Sequence, residues 1–262
     1  KLAAQVANIN NTVNQASGYK VHLYIETATK DNFSKVLRQL KVHDITYLRE
    51  STLFSEFQQT EVSTLYNDFR LGDAKNLAYA ADVLKPFIVF KLGGMYSDVD
   101  DAYQSKHTED QQKLGNFSLM ADPAEVVTHE PVSVPWAFES QLPNSSFAAH
   151  AGSSTLKDLM DEMTLRYQEL VASGTYSTNG GYIGQAILDK NPKGRQKIMT
   201  DMVGPRALTD VIERHDSEAK TIIDQATCRR FNGFGPEDLD KRMETKMPLG
   251  RYINLGNLNS WK

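Results

Sequence analysis

The stretch Gly93-Gly94-Met95-Tyr96-Ser97-Asp98-Val99-Asp100 constrains this chain of 262 residues more than any other. An apolar, helix-like run leads into it from Asp73 to Leu92, with Leu77, Ala81, Leu84 and Ile88 recurring at helical spacing. Pro86 lies inside that run and predicts a kink or a local break. The paired glycines stop the helix, and Met95 to Asp98 reads as a strand whose end carries the acids. Open α/β sheets place their ligands beyond the C-terminal ends of strands, so the acids stand where chemistry is expected. Two carboxylates around one small apolar residue, followed at once by Asp101, make a compact set of oxygen ligands. Such a set suits a hard divalent cation that is itself holding a diphosphate. Taken alone, an Asp-x-Asp pair is common, and a solvated, charged strand end also accounts for it.

The surrounding pattern is that of an α/β protein. Residues 1–18 are polar and rich in Asn, Gln and Ala, and read as a helix ended by Gly18. Lys20–Ile25 is a short β-branched and aromatic strand, followed by a helix over Lys30–Leu40 and a second strand at Ile45–Leu48. This strand–helix–strand order predicts parallel strands. Further strands are expected at Phe117–Met120 and Val134–Phe138. Leu156–Leu170 is a patterned helix with Leu156, Leu159, Met160, Met163 and Tyr167 as its apolar stripe. Ser173–Gly181 reads as a loop, Ile183–Leu188 as the start of another helix, and residues 214–248 as charged and irregular. No repeat, low-complexity tract or linker interrupts the chain, which predicts one domain over 1–262 with helical insertions.

A net charge of −4 leaves no basic footprint for nucleic acid. No apolar run reaches membrane-spanning length and no basic-then-apolar signal opens the chain, so a membrane is not indicated. Cys228 is the only cysteine, which excludes an intramolecular disulfide and a cysteine metal cluster. It is expected as a small buried or half-buried residue, the usual place of a free cysteine. The start at Lys1 rather than Met is what a domain excised from a larger protein would show.

The block Asn76 to Asp100, with Asn76-Leu77-Ala78, Asp82 sixteen residues before Asp98, and Lys85, resembles the catalytic domain of the large clostridial glucosylating toxins. There an Asn-Leu-Ala…Ser-Asp-Ile-Leu-Arg helix leads into Gly-Gly-Met-Tyr-Leu-Asp-Val-Asp. The wider relatives are DxD-containing GT-A glycosyltransferases, including injected effectors that glycosylate tyrosine or arginine. The resemblance implies an α/β fold of GT-A type, a Rossmann-like nucleotide-sugar-binding sheet flanked by helices. It also implies roles. Asp82 would contact ribose and donor sugar, Tyr96 would shape the donor pocket, and Asp98 would bind hydroxyls and approach the metal through water. Asp100 would ligate the metal directly. Lys85 stands where the toxins carry arginine and keeps the charge without the planar fork. Tyr24 occupies the place of the uracil-stacking aromatic, and a core tyrosine fits the pattern nearly as well. Asn144, within Leu142-Pro143-Asn144-Ser145-Ser146, would hydrogen-bond the donor sugar. Met202-Val203-Gly204-Pro205 resembles a late Gly-Pro turn. At the far end, Trp261 would be a lid residue over the donor, with Asn257, Asn259 and Ser260 as candidate neutral oxygen ligands of the metal.

The resemblance therefore implies a retaining glycosyltransferase that uses Mn²⁺ or Mg²⁺ and a UDP-sugar. Pro143 and Ser145 flank Asn144 where glucose-using relatives carry bulkier residues, which favours UDP-GlcNAc over UDP-glucose. The expected acceptor is a hydroxyl of a host protein, a Rho- or Rab-type small GTPase foremost. The expected setting is a toxin or effector secreted or injected by a bacterium and acting in the host cytosol. Two alternatives stand beside this reading: a bacterial enzyme that glycosylates a surface glycan, and a binding module in which the acidic pair is structural.

Overall fold

The computed structural model describes residues 2–15, 19–26, 30–71, 76–103, 122–133, 139–173, 198 and 201–256. Helix α1 (Leu2–Gln15) precedes a βαβ unit of β1 (His22–Ile25), α2 (Lys30–Leu37) and β2 (Asp44–Tyr47). β1 and β2 are parallel, with His22 opposite Asp44, as strand–helix–strand order requires. Helices α3 (Thr52–Phe57) and α4 (Ser63–Leu71) follow, and then α5 (Leu77–Leu92) runs straight into β3 (Gly94–Ser97). β4 (Ala102–Tyr103), β5 (Val126–Thr128), β6 (Val132–Ser133), β7 (Ser140–Gln141) and β8 (Ser146–Ala149) complete the middle of the chain. Helices α6 (Ser154–Ala172), α7 (Pro205–His215), α8 (Ser217–Asn232) and α9 (Leu239–Lys246) lead to β9 (Ile253–Asn254). β8 is the centre of an antiparallel sheet ordered β3-β8-β5, and β9 pairs antiparallel with β4.

α5 is the axis of the core. Asn76 caps it, its side-chain oxygen accepting from the amides of Ala78 at 3.0 Å and Tyr79 at 3.4 Å. The helix is not broken at Pro86 and continues to Leu92. It packs between α4 and α6, and the Phe57 and Phe87 rings meet edge-on at 5.2 Å. The stripe expected to face the core, Leu77, Ala81, Leu84 and Ile88, is only in part the buried one. Tyr79, Ala80, Val83 and Phe87 are buried, whereas Leu77 is 63% exposed. A helix apolar on nearly every side has no single stripe for periodicity to pick out. On α6, by contrast, all five stripe residues are buried.

Gly93 ends α5 in a left-handed conformation, φ +67°, and a Cβ there would lie 2.9 Å from the Ala151 amide nitrogen. Gly93→Ala therefore combines backbone strain with a clash against main chain. A loss of about 1–3 kcal/mol is expected, read from the shift of a denaturant midpoint.

The stretch expected to be irregular, 214–248, is instead largely helical in α7, α8 and α9. Its charges sit on solvated faces while Ile222, Ile223 and Leu239 are buried. Gly204 and Pro205 form the start of α7, with proline in its first turn, where it is tolerated. Cys228 is exposed rather than buried, because it falls on the outer face of α8. No helix among the described residues is long and apolar enough to cross a membrane. The strands expected at 117–120 and 134–138, the helix at 183–188, Gly18, and all but the first residue of the loop at 173–181 lie outside the described residues.

Candidate active site

The acids are placed by the helix–glycine–strand sequence. β3 pairs with β8 so that Tyr96 faces Phe147, their rings 5.7 Å apart, and the pairing continues one step further as Asp98 N donates to Ser145 O at 2.7 Å. The chain then turns, and Asp101 N donates back to Asp98 O at 3.1 Å. Asp98 and Asp100 are thus presented on a short turn at the end of an antiparallel strand.

Beneath this turn lies a charged cluster that the sequence places one helical turn apart on α5. Asp82 and Lys85 are both 3% exposed, and Lys85 Nζ sits 2.5 Å from Asp82 Oδ1. The same ammonium is 3.8 Å from Asp98 Oδ1 and 5.2 Å from the centre of the Tyr96 ring. Tyr96 donates its hydroxyl proton to Asp98 Oδ1 at 2.7 Å. Asp82 and Lys85 are therefore not a solvated pair on the face of the helix. The pair is buried and joined to the acidic turn.

Burial pushes the Asp82 carboxyl up to about 7; Lys85 opposes that rise and Asp98 adds to it. Burial alone would lower the Lys85 pKa, but Asp82 and then Asp98 outweigh it, so the ammonium is held charged. Burial is also the first cause of the rise of Asp101 to about 6, opposed by its bond from Gly256 and reinforced by Asp98. The Tyr96 hydroxyl is raised by burial and by the Asp98 charge, so it remains a donor. The local balance is therefore acidic: Asp82, Asp98 and Asp101 act on Lys85, and Asp100 lies between the last two in the chain. That excess, and an all-oxygen donor set, fit a hard divalent cation. Among the described residues, no group of three or more His, Cys, Asp or Glu side chains is arranged to hold a metal by itself. Asp98 and Asp100 would need further oxygens.

Asn144 is buried beside Asp82 and favours its charged form. Yet Asp82 Oδ2 and Asn144 Nδ2 complete no hydrogen bond of proper geometry among the described residues, and neither does Ser145 Oγ. Unsatisfied groups this buried are costly and call for a ligand or water. The segment carrying them is pinned from behind: Ser140 N donates to Thr227 Oγ1 and Leu142 N to Thr209 Oγ1, each at 2.9 Å. The late helices α7 and α8 thus scaffold this loop.

A cavity of about 540 Å³ opens between β1 and α5, within the usual range of about 300–1,000 Å³ for small-molecule sites. Tyr24, Lys85 and Tyr96 line it together, and so do Leu77, Leu84 and Ile88 of the stripe expected in the core. The Tyr24 ring stacks on His22 at 4.5 Å, and partial burial raises its hydroxyl pKa. A second cavity of about 400 Å³, between α1 and β3, is lined by Asp98, Asn8 and Tyr103. Asp82 lines neither and meets the site through Lys85. Asn257, Asn259, Ser260 and Trp261 lie outside the described residues.

Three sets of contacts are not signalled by the sequence. Glu26, on the wall of the larger cavity, accepts from Arg49 Nε at 2.9 Å, from Arg70 and from the Tyr66 hydroxyl. Asp101 Oδ1 accepts from Gly256 N at 2.7 Å, and Asn8 bonds to the acidic turn from α1. Their partners are far away in the chain, so no local motif signals them.

No protein-family model matches the sequence, and no curated protein does. Among solved structures, the chain is similar to the PaToxG glycosyltransferase, with a TM-score of 0.60 and 14% identity over 96% of this chain and 83% of that one. It is less similar to the UDP-bound glycosyltransferase domain of the YGT toxin (TM-score 0.45, 14% identity, 73% of this chain and 53% of that one). The catalytic domain of alpha-toxin from Clostridium novyi gives a TM-score of 0.38 and 13% identity, over 83% and 46%. The chain spans about half the length of the latter two. The first likeness establishes a shared fold. The α/β fold of GT-A type implied by the block from Asn76 to Asp100 is the fold observed.

Proposed function

We propose that this chain is the catalytic domain of a glycosyltransferase that moves a sugar from a UDP-sugar to a hydroxyl of a host protein. The observation that carries the reading is the buried Asp82–Lys85–Asp98–Tyr96 cluster, which meets the cavity that also holds Tyr24 through Lys85 and Tyr96, in a fold of this kind. Tyr24 offers a ring face to the base. Lys85 holds Asp82 and Asp98 in place by charge. Asp82 Oδ2, Asn144 Nδ2 and Ser145 Oγ, each without a hydrogen-bond partner among the described residues, lie behind the cavity wall and would supply acceptors and donors to ribose and sugar hydroxyls that reach beneath the acidic turn.

Asp98 and Asp100 would hold Mn²⁺ or Mg²⁺, with Asn257, Asn259 or Ser260 adding neutral oxygens. When bound, the cation stabilises the charge of the departing diphosphate as a Lewis acid. Trp261 would close over the donor and exclude water from it. Gly256 packs directly on Asp100, which supports a role for the residues that follow it at this site. Retention of configuration follows the resemblance to glucosylating toxins, as does the choice of a Rho- or Rab-type GTPase as acceptor. The same reading places the protein as a secreted or injected factor acting in the host cytosol.

The small residues beside Asn144 favour GlcNAc over glucose. Purified protein with Mn²⁺ is expected to hydrolyse UDP-GlcNAc slowly, and faster than UDP-glucose. Incubation with host-cell lysate and UDP-GlcNAc should add one N-acetylhexosamine mass to a protein hydroxyl. If the protein hydrolyses neither nucleotide sugar and binds neither, the donor assignment fails. Transfer to glycan alone removes the protein acceptor.

A further inference from the structure

We propose that Asn8 is a positioning residue for the acidic turn, so that helix α1 tunes a cation site it does not itself enter. This rests on the donor-site reading and adds to it a residue that no local motif reveals. Asn8 Nδ2 donates to Val99 O at 2.9 Å and to Asp101 O at 2.7 Å, across sequence separations of 91 and 93 residues. A carboxamide nitrogen carries two protons, one for each carbonyl. The two carbonyls stand one on each side of Asp100 in the chain, so a single side chain straddles the residue that presents the cation ligand.

The C-terminal end of the described chain meets the same turn. Gly256 N donates to Asp101 Oδ1 at 2.7 Å, and a Cβ on Gly256 would lie 2.4 Å from Asp100 O. With Asp98 N bound to Ser145 O, the backbone from Asp98 to Asp101 is tied to α1, to β8's approach and to the segment after β9. A carboxylate on a fixed backbone loses only its side-chain torsions on binding a cation. On a loose turn the backbone must be ordered as well, and affinity falls. Asn8 acts through Asp100 in this way and touches no reacting atom.

α1 is also docked by Asn10, which donates to Gln39 O at 3.1 Å and accepts from Lys41 N at 2.7 Å. That contact is separate from the acidic turn and supplies a control. The test compares the whole protein with Asn8→Ala, Asn8→Gln and Asn10→Ala. It follows backbone hydrogen exchange over residues 95–103, free Mn²⁺ by electron paramagnetic resonance with UDP present, and the Mn²⁺ dependence of hydrolysis.

Asn8→Ala should speed exchange at residues 98–101 and weaken Mn²⁺ binding about five- to tenfold, the scale of one or two part-exposed hydrogen bonds. The Mn²⁺ concentration for half-maximal hydrolysis should rise in step, with kcat at saturating Mn²⁺ within about twofold of wild type. Asn8→Gln keeps the donor and should recover part of the affinity, and Asn10→Ala should change neither readout. Unchanged exchange at residues 98–101 in Asn8→Ala overturns the clamp. Faster exchange with unchanged Mn²⁺ affinity overturns its role in positioning. Wild-type protein that binds no Mn²⁺ overturns the donor-site reading instead, and the exchange measurement then still decides the clamp.

Discussion

Asp98→Asn/Asp100→Asn is expected to lower UDP-sugar hydrolysis at least about a hundredfold while leaving the protein folded. Asparagine keeps the size of each side chain and the oxygen that accepts from Tyr96, but removes both charges. Deleting one preorganised group that stabilises transition-state charge costs about 10²–10³ in rate, and here two groups and the cation they would hold are affected together. The fold should tolerate the change because the turn is held by hydrogen bonds with Ser145 O, Asn8 Nδ2 and Gly256 N, none of which uses the carboxylates of Asp98 or Asp100. Asp98 also raises the pKa of Asp82 and of Asp101, so neutralising it relieves repulsion in the cluster. A variant with normal denaturation and normal hydrolysis would remove the acidic turn from the chemistry.

The second large effect is on stability. Lys85→Met leaves Asp82 3% exposed with neither of its oxygens paired among the described residues. Removing one member of a buried ion pair typically costs about 3–5 kcal/mol, because the remaining carboxyl must either stay charged without its partner or take up a proton. Asp82→Asn/Lys85→Met removes both charges and should be less destabilised than Lys85→Met alone. Equilibrium denaturation of the two single variants and the double variant closes a cycle that isolates the coupling. If the double variant is as unstable as the sum of the singles, the pair is not coupled and Lys85 does not organise the cluster. Because Lys85 also faces Asp98 at 3.8 Å and the Tyr96 ring, its loss should disturb donor binding as well as folding.

Much of this arrangement was legible in the sequence where the signal is local. The Gly-Gly stop, the strand carrying Tyr96 and the acids beyond it are adjacent in the chain, and the structure keeps them so. The apolar stripe of α6 is a clean 3.6-residue pattern, and all of it is buried. The parallel pairing of β1 and β2 follows from the helix between them. α5 misled because it is apolar almost throughout: Leu77 lines a cavity while the polar pair Asp82 and Lys85 is buried. Only tertiary packing decides which side of such a helix meets solvent. The stretch from 214 to 248 read as irregular because its charges mask buried positions such as Ile222 and Leu239. The contacts of Asn8 and Gly256 with the acidic turn were illegible for a simpler reason. Their partners lie more than ninety residues away in the case of Asn8, and 155 residues separate Gly256 from Asp101.

The central claim is that the acidic turn and the cavity beside it hold a nucleoside diphosphate together with a divalent cation. Calorimetric titration of UDP into the protein tests it most directly, with Mn²⁺ present, with the metal chelated, and with Asp98→Asn/Asp100→Asn. The account predicts saturable binding in Mn²⁺ that is lost on chelation and lost again in the double variant. No binding in Mn²⁺, or binding of equal strength in all three conditions, would contradict it.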